Sequence, residues 1–248
     1  VDHVRRLAVQ VLADGQGTTW ALGVRDATLS RSGHRILEES ACAVLSAEQD
    51  RDLRDAAVVV AEAAGFRGAG TVEFLWDAAS REALFLKLVP HLQPGHPATE
   101  MACGVDLVKA QLRIAAGGRL EGPQPSRTGH ALAARLRVDD LAGDGHPARV
   151  ELLRLAGGPF IRADAGVAET DGLDPRGDGD IATLVAWGTD RVEAISRLQL
   201  ASVLIIYRLA DSAALRRLIE EARRLGIPIV FEFDDVVYRR ELAASNPN

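Results

Sequence analysis

The chain has 248 residues, a length that fits one large domain or two modest ones. It carries 29 Lys and Arg against 35 Asp and Glu, for a formal net charge of −6. This balance argues against the basic surface that a non-specific nucleic-acid binder needs. Hydrophobic residues make up 47% and charged residues 26%, which predicts a folded globular protein. Only 4% are aromatic, so we expect a core of Ala, Val, Leu and Ile.

The cysteine count and the apolar runs bear on the compartment. Two cysteines, Cys42 and Cys103, are too few for a disulfide framework or a four-cysteine zinc site, and we expect buried thiols in a reducing compartment. The longest apolar runs, such as 201–207, are too short to span a bilayer, and no apolar signal segment opens the chain. These features predict a cytoplasmic protein. The first residue is Val1 rather than Met, and we expect a piece of a larger architecture.

Apolar periodicity and turn residues predict strands and helices in the first half of the chain. In chain order they are strands 8–12 and 18–24 joined by a turn, a polar basic loop 25–35, a helix between 46 and 65, strands 71–76 and 83–89, a loop 90–97 imposed by three prolines, and a helix 105–116. The first helix has the clearest signals, because Ser46 and Gln49 form a capping box and Gly65 ends it. Its predicted apolar face is Leu53, Ala56, Ala57, Val60, Ala61 and Ala64.

The second half begins with a linker over 121–129 that contains two prolines and two glycines. The elements predicted after it are strands 130–138, 150–155 and 160–163, a polar loop 168–180, a strand 181–187 and a helix 190–198. The tail then predicts a strand 203–208, a helix 211–225 and a strand 228–233. This order is a βαβ unit, which is typical of parallel α/β sheets.

Several strings in fixed order resemble one known family. Segment 9–17, the strings Gly65–Leu75 (GFRGAGTVEFL) and Gly104–Lys109 (GVDLVK), and the pattern Trp187–Ile195 are similar to the C-terminal half of the biotin carboxylase ATP-grasp domain. The resemblance covers roughly the first four-fifths of the chain and implies an α+β fold. The implied divisions are an ATP-grasp C-terminal half over 1–120, a biotin carboxylase C-terminal-like β region over 121–200, and a βαβ tail over 201–248.

The resemblance also implies a set of site residues. Biotin carboxylases use MgATP and bicarbonate to carboxylate biotin, so ATP, Mg²⁺ and biotin are the expected cofactors and substrate. Glu73 matches a metal-binding glutamate, and we assign Gln93 and His34 to the cofactor-binding set. Arg35 corresponds to the catalytic-loop lysine, and Arg135 matches the arginine expected to stabilise the biotin enolate. These two residues are the predicted catalytic pair.

Other positions depart from the family pattern. Lys87 stands at the second metal-binding glutamate and Val89 at the metal-site asparagine. His91 replaces an arginine, and Gly95 replaces the glutamate base. A carboxylate base and two metal carboxylates are what the reaction needs, and losing each costs about 10²–10³ in rate. We therefore expect a degraded site, in which Lys87 pairs with Glu73 across the hairpin as a structural substitute for the metal.

Three hypotheses about function follow. The first is a biotin carboxylase-like protein with catalysis absent or very weak, which retains nucleotide or partner binding. The second is a non-catalytic dimerisation or interaction module, with a second copy or a biotin carboxyl carrier protein as partner. The third is a glycosyltransferase-related protein, because the tail ending in Asp234 and Asp235 resembles the first Rossmann-type unit of some of those enzymes.

Simpler interpretations stay open for individual residues. Glu73 could be a solvated strand residue, and Arg135 a surface strand arginine. His91 and His96 flank a proline-rich loop with no fixed face, so ordinary loop histidines are favoured over a metal pair.

Overall fold

The structure is a computed structural model that describes residues 4–31, 33–137, 148–149, 155, 157–168, 171–173, 180–201, 204–207 and 229–232. The strands are β1 Val4–Ala13, β2 Thr19–Asp26, β3 Ser30–Arg31, β4 His34–Arg35, β5 Leu37–Glu39, β6 Gly68–Asp77, β7 Glu82–Val89, β8 His130–Arg137, β9 Ala148–Arg149, β10 Ile161–Ala165, β11 Gly172–Leu173, β12 Asp180–Gly188, β13 Leu204–Tyr207 and β14 Ile229–Glu232. The helices are α1 Ala47–Ala63, α2 His96–Cys103, α3 Leu107–Ala115 and α4 Arg191–Ala201. The mixture of helices with a largely antiparallel sheet confirms the predicted α+β class.

One eight-stranded sheet organises the described residues, in the order β10-β12-β8-β5-β2-β1-β6-β7. Strand β1 lies between β2 and β6, so that Ala8 pairs with Arg25 on one side and with Glu73 on the other. Strand β7 forms one edge of the sheet. Strands β8, β10 and β12 extend the sheet past residue 120, and the expected division of the chain at that point stays a prediction.

The two faces of the sheet differ in what covers them. Helix α1 packs on one face through its buried residues Leu53, Ala57 and Ala61, and its predicted capping box at Ser46 is present. Helix α3 covers part of the other face. Alternate residues of a strand point to opposite faces, and Ala8 therefore faces the α3 side. The predicted apolar face of α1 is right except at its end, because Ala64 is the exposed C-cap.

Three predicted loops are wrong in part, and one of them, the polar loop expected at 168–180, contains β11. The segment expected to be a polar loop from residue 25 begins as strand, since Arg25 and Asp26 complete β2. The proline-rich loop is shorter than expected, because α2 already begins at His96 and places Pro97 in its first turn. A proline is tolerated there because the first amide groups of a helix have no partner within the helix.

A cluster of charged groups ties α4 to the sheet. Glu39 accepts hydrogen bonds from Arg191 at 2.7 Å on each oxygen, and His130 lies 2.9 Å from Oε2. Burial alone would raise the pKa of the Glu39 carboxyl, but the hydrogen bonds from Arg191 and His130 outweigh burial and lower that pKa to about 2. The carboxylate is therefore ionised at neutral pH.

The tail and the remaining predictions are described only in part. Strands β13 and β14 pair in parallel, as the predicted βαβ unit requires. Three predicted features lie outside the described residues. They are the helix expected at 211–225, the pair Asp234 and Asp235, and the strand expected at 150–155, of which only residue 155 is described. Within the described ranges, no helix is long and apolar enough to cross a membrane. Cys42 and Cys103 are both buried and unpaired, as expected.

Candidate functional site

A row of charged side chains crosses the sheet on the face that α3 partly covers. Register pairs Arg25 on β2 with Ala8 on β1, Ala8 with Glu73 on β6, and Glu73 with Lys87 on β7. Directly paired residues share one face of a sheet. The row therefore alternates Arg25, Glu73 and Lys87, in the order cation, anion, cation.

Glu73 is the centre of this row, and three predicted site residues meet there. Its side chain is fully buried, and Oε1 accepts hydrogen bonds from Arg35 Nη2 and from Gln93 Nε2, the latter at 2.7 Å. Arg35 Nη1 also donates to Gln93 Oε1 at 2.9 Å, which closes a ring of three side chains. The interpretation of Glu73 as a solvated strand residue is therefore wrong, and Arg35, Gln93 and Glu73 form one hydrogen-bonded cluster.

Lys87 is the second cation next to the carboxylate of Glu73. Its Nζ lies 3.8 Å from Glu73 Oε2, so the expected cross-hairpin pair is present, at a longer distance than the contact with Arg35. Burial raises the pKa of the Glu73 carboxyl, but hydrogen bonds from Gln93 and Arg35 outweigh burial, and the pKa is lowered. Two cations and an amide donor of the protein thus hold Glu73 as a carboxylate.

A second buried ion pair lies beside this cluster, and the sequence did not predict it. Arg25 is fully buried; its Nε donates to Glu38 Oε2 at 3.2 Å, and its Nη1 donates to Gln10 Oε1 at 3.1 Å and to Thr99 Oγ1 at 2.9 Å. Burial lowers the pKa of the Arg25 guanidinium, and the charge of Glu38 opposes that shift. In the sequence Arg25 directly follows a β-prone run, and this position does not by itself predict the pairing with Glu38.

The carboxylate of Glu38 also fills the space next to Gly95. A Cβ atom on Gly95 would lie 2.2 Å from Cδ and 2.3 Å from each carboxylate oxygen of Glu38. Real Cβ atoms do not approach other atoms this closely. Any side chain at position 95 therefore requires Glu38 to move. Glu38 Oε1 also lies 3.8 Å from Arg35 Nη1, which links the two ion-pair groups.

Comparisons with known proteins show what the chain is similar to. Residues 1–122 match the family model described as "Carbamoyl-phosphate synthase L chain, ATP binding domain". The biotin carboxylase of Nostoc sp. is 36% identical over 205 residues, which is 81% of this chain and 46% of that protein. Biotin carboxylase 1 of Bacillus subtilis is 34% identical over 205 residues, again 81% of this chain and 46% of that protein.

Solved structures agree with these relatives. The biotin carboxylase domain dimer of Hydrogenobacter thermophilus 2-oxoglutarate carboxylase, in complex with MgADP, ADP and bicarbonate, matches with a TM-score of 0.76 and 30% identity over 81% of this chain and 45% of that chain. Over 81% of its length the chain is similar to biotin carboxylases, and it shares their ATP-grasp fold. It spans less than half the length of the two curated relatives described above, 46% in each case.

Two predicted site residues of this biotin carboxylase-like chain lie outside the Glu73 cluster in the contacts that the structure describes. Arg135 on β8 forms an ion pair with Asp180 on β12, and Arg137 donates to the other oxygen of Asp180 at 2.6 Å. His34 is exposed at the start of β4. Arg135 is therefore a partly buried, ion-paired strand residue, and its catalytic assignment stays a prediction.

The residues present do not fit the divalent cation that biotin carboxylases use. In the described part of the chain, no group of three or more His, Cys, Asp or Glu side chains could hold a metal ion. The oxygen of Glu73 that accepts no hydrogen bond, Oε2, faces the ammonium of Lys87 instead of a second carboxylate. Hard cations such as Mg²⁺ require several oxygen ligands. A lone carboxylate that already faces two protein cations does not supply them.

Proposed function

We propose that this biotin carboxylase-like chain does not carboxylate biotin, and that it acts as a binding module built on the ATP-grasp scaffold. The observation that carries the proposal is the state of Glu73, the surviving counterpart of a metal ligand. Arg35, Gln93 and Lys87 surround its carboxylate. In a metal site the same carboxylate would contact the metal ion instead.

The charge arithmetic supports the loss of metal-dependent chemistry. A divalent cation brought to Glu73 would meet the ammonium of Lys87 and the guanidinium of Arg35 in a partly desolvated site, where like charges repel strongly. The base position carries Gly95, and the nearest carboxylate, that of Glu38, is committed to buried Arg25. With a metal carboxylate and the base both missing, a loss of about 10²–10³ in rate for each leaves little activity.

The test is a carboxylation assay with free biotin, bicarbonate and MgATP. We expect the chain to show no biotin-dependent ATP hydrolysis, with an intact biotin carboxylase as the positive control. The triple variant Lys87→Glu/Val89→Asn/Gly95→Glu restores the family residues at these positions. It tests whether the site alone, and not the fold, differs from that of an active enzyme. Biotin- and Mg²⁺-dependent turnover by the unmodified chain would overturn the proposal.

The partner of such a module is a further part of the proposal. A similar solved structure is described as a biotin carboxylase domain dimer, which favours a second copy of this chain as the partner. Sedimentation velocity at micromolar concentration tests this directly: we expect a dimer, and a strict monomer would contradict it. A biotin carboxyl carrier protein, a cytoplasmic location and a glycosyltransferase role for the tail stay predictions.

A further inference from the structure

The strand β7 at one edge of the sheet is exposed along most of its length. The six residues 82–87 are all exposed, and Leu84, Phe85 and Leu86 are 67%, 54% and 39% exposed. Successive residues of a strand point to opposite faces, so this apolar surface lies on both sides of the edge. In the described part of the chain, no strand pairs with the outer side of β7. Its outward backbone amide and carbonyl groups are therefore free to pair with another strand.

The opposite edge of the sheet, β10, is better protected. It has only five residues, Ile161–Ala165, and the side chains of Arg162 and Asp164 form an ion pair on it at 2.8 Å. Short edge strands and charged side chains both oppose pairing between chains. Because a two-fold contact through β7 uses the β7 edge of both copies, association closes at a dimer.

Leu84 is the residue of β7 that fits a two-fold axis. Glu82 and Leu84 pair with residues of β6 on the face that carries Glu73. Ala83 and Phe85 pair with residues on the face that α1 covers. In an antiparallel contact with its own copy, with Leu84 on the axis, β7 places Ala83 of one chain opposite Phe85 of the other. A small residue thus faces a large one, and each opposed pair shares a face, as sheet pairing requires.

The charged residues of β7 fit the same register. Glu82 directly opposes Asp77 within its own hairpin, and it forms no ion pair among the described residues. Leu86 is the extra residue of a bulge, since the register with β6 passes over it, and Lys87 returns to the face that carries Glu73. In this register Glu82 of one copy lies next to Lys87 of the other. The Lys87 side chain is 57% exposed, and opposite charges at facing strand positions stabilise the pair.

We infer that β7 is the surface through which two copies of this chain associate, as an antiparallel pair about a two-fold axis at Leu84. The two eight-stranded sheets then join into one continuous sheet. An axis at Phe85 would instead place Ala83 opposite Lys87, which point to opposite faces, so that register is excluded. The inference rests on the proposed function in one respect, namely that a second copy is the partner, and it adds the surface and the register.

The first test is sedimentation velocity of Leu84→Lys and of the unmodified chain at the same micromolar concentrations. The exposure of Leu84 lets lysine replace it without loss of the fold, and circular dichroism checks this. Two lysines would meet at the axis, and we expect the Kd for self-association to rise about 10–100-fold. Leu112→Lys is the matched control, because Leu112 is 65% exposed on α3 and lies outside the proposed contact. It should sediment like the unmodified chain.

The second test is disulfide cross-linking of Leu84→Cys. A residue on the axis meets its own copy at a Cα separation of about 4.5–5.5 Å, which a disulfide spans. Cys42 and Cys103 are buried, so the oxidant diamide should link Leu84→Cys into a covalent dimer much faster than it links Leu112→Cys. This comparison decides the inference on its own if Leu84→Lys does not fold.

Each outcome decides the inference. Loss of the dimer in Leu84→Lys but not in Leu112→Lys, together with selective cross-linking at position 84, supports the β7 contact. A strict monomer, open-ended assembly, equal cross-linking at both positions, or a dimer that Leu84→Lys leaves intact overturns it. The last result would leave a second copy as the partner through another surface. Biotin-dependent turnover by the unmodified chain would instead overturn the proposed function and leave the β7 contact standing.

Discussion

The contact between Gly95 and Glu38 gives a sharp prediction for Gly95→Ala. The backbone of Gly95 has a φ of −79°, which alanine adopts without strain. The new Cβ would nevertheless lie 2.2 Å from Glu38 Cδ. Overpacking of a buried site costs about 1–3 kcal/mol. The gain from a less flexible unfolded chain is about 0.4–1 kcal/mol. Taking the middle of each range, we expect a net loss of about 1 kcal/mol, or about 2–4 °C in Tm.

Urea unfolding followed by circular dichroism measures this loss. Gly157→Ala is the control, because among the described residues no atom outside the adjacent peptide units lies within 4 Å of the Cβ position there, and it should leave stability nearly unchanged. Glu38→Asp shortens the opposing side chain by one methylene, so the double variant with Gly95→Ala should lose less than the sum of the single losses. An unchanged Gly95→Ala protein, or strictly additive losses, would refute the claim that Glu38 fills this space.

Three further predictions follow from the charged and buried groups. Lys87→Glu places a second carboxylate opposite the buried carboxylate of Glu73 on β6. We expect this variant to lose about 1 kcal/mol of stability without metal and to gain Tm in millimolar Mn²⁺. A Tm that does not respond to Mn²⁺ would contradict this prediction. The lowered pKa of Glu39 stabilises the fold fully above its ordinary value of 4.5, and this contribution is lost as pH falls toward 2. The stability difference between the unmodified chain and Glu39→Gln should therefore shrink between pH 5 and pH 3, and a constant difference would contradict the shift. Burial raises the pKa of both cysteine thiols to about 11, so they should react with a disulfide reagent at pH 8 only after unfolding, and rapid labelling of the native chain would show that they are accessible.

Local signals in the sequence account for much of the fold. The capping box at Ser46 begins α1 where expected, and the two hairpins around β1 and β6 follow from apolar, β-prone runs joined by turn residues. Three of the predicted site residues, Glu73, Arg35 and Gln93, lie in one hydrogen-bonded cluster, and their roles stay predictions. These features depend on short-range patterns or on strings that match a family directly.

The parts that could not be predicted depend on contacts between distant segments. Arg25 looks like the start of a polar loop, because nothing local shows that Glu38, Gln10 and Thr99 will surround its guanidinium in the core. A missing side chain at Gly95 indicates a lost base, but it does not indicate that a carboxylate from β5 fills the space. Tertiary packing decides both features, and a local pattern carries no information about it.

Electron paramagnetic resonance of Mn²⁺ tests the internal neutralisation of Glu73 most directly. Titrating the unmodified chain into Mn²⁺ and ATP reports bound ion as a loss of the free Mn²⁺ signal beyond that caused by ATP alone. Because Arg35 and Lys87 already compensate the carboxylate of Glu73, we predict no further loss of signal at any protein concentration. A saturable, stoichiometric loss that disappears in Glu73→Gln would place the metal on Glu73 and contradict its neutralisation by the protein's own cations.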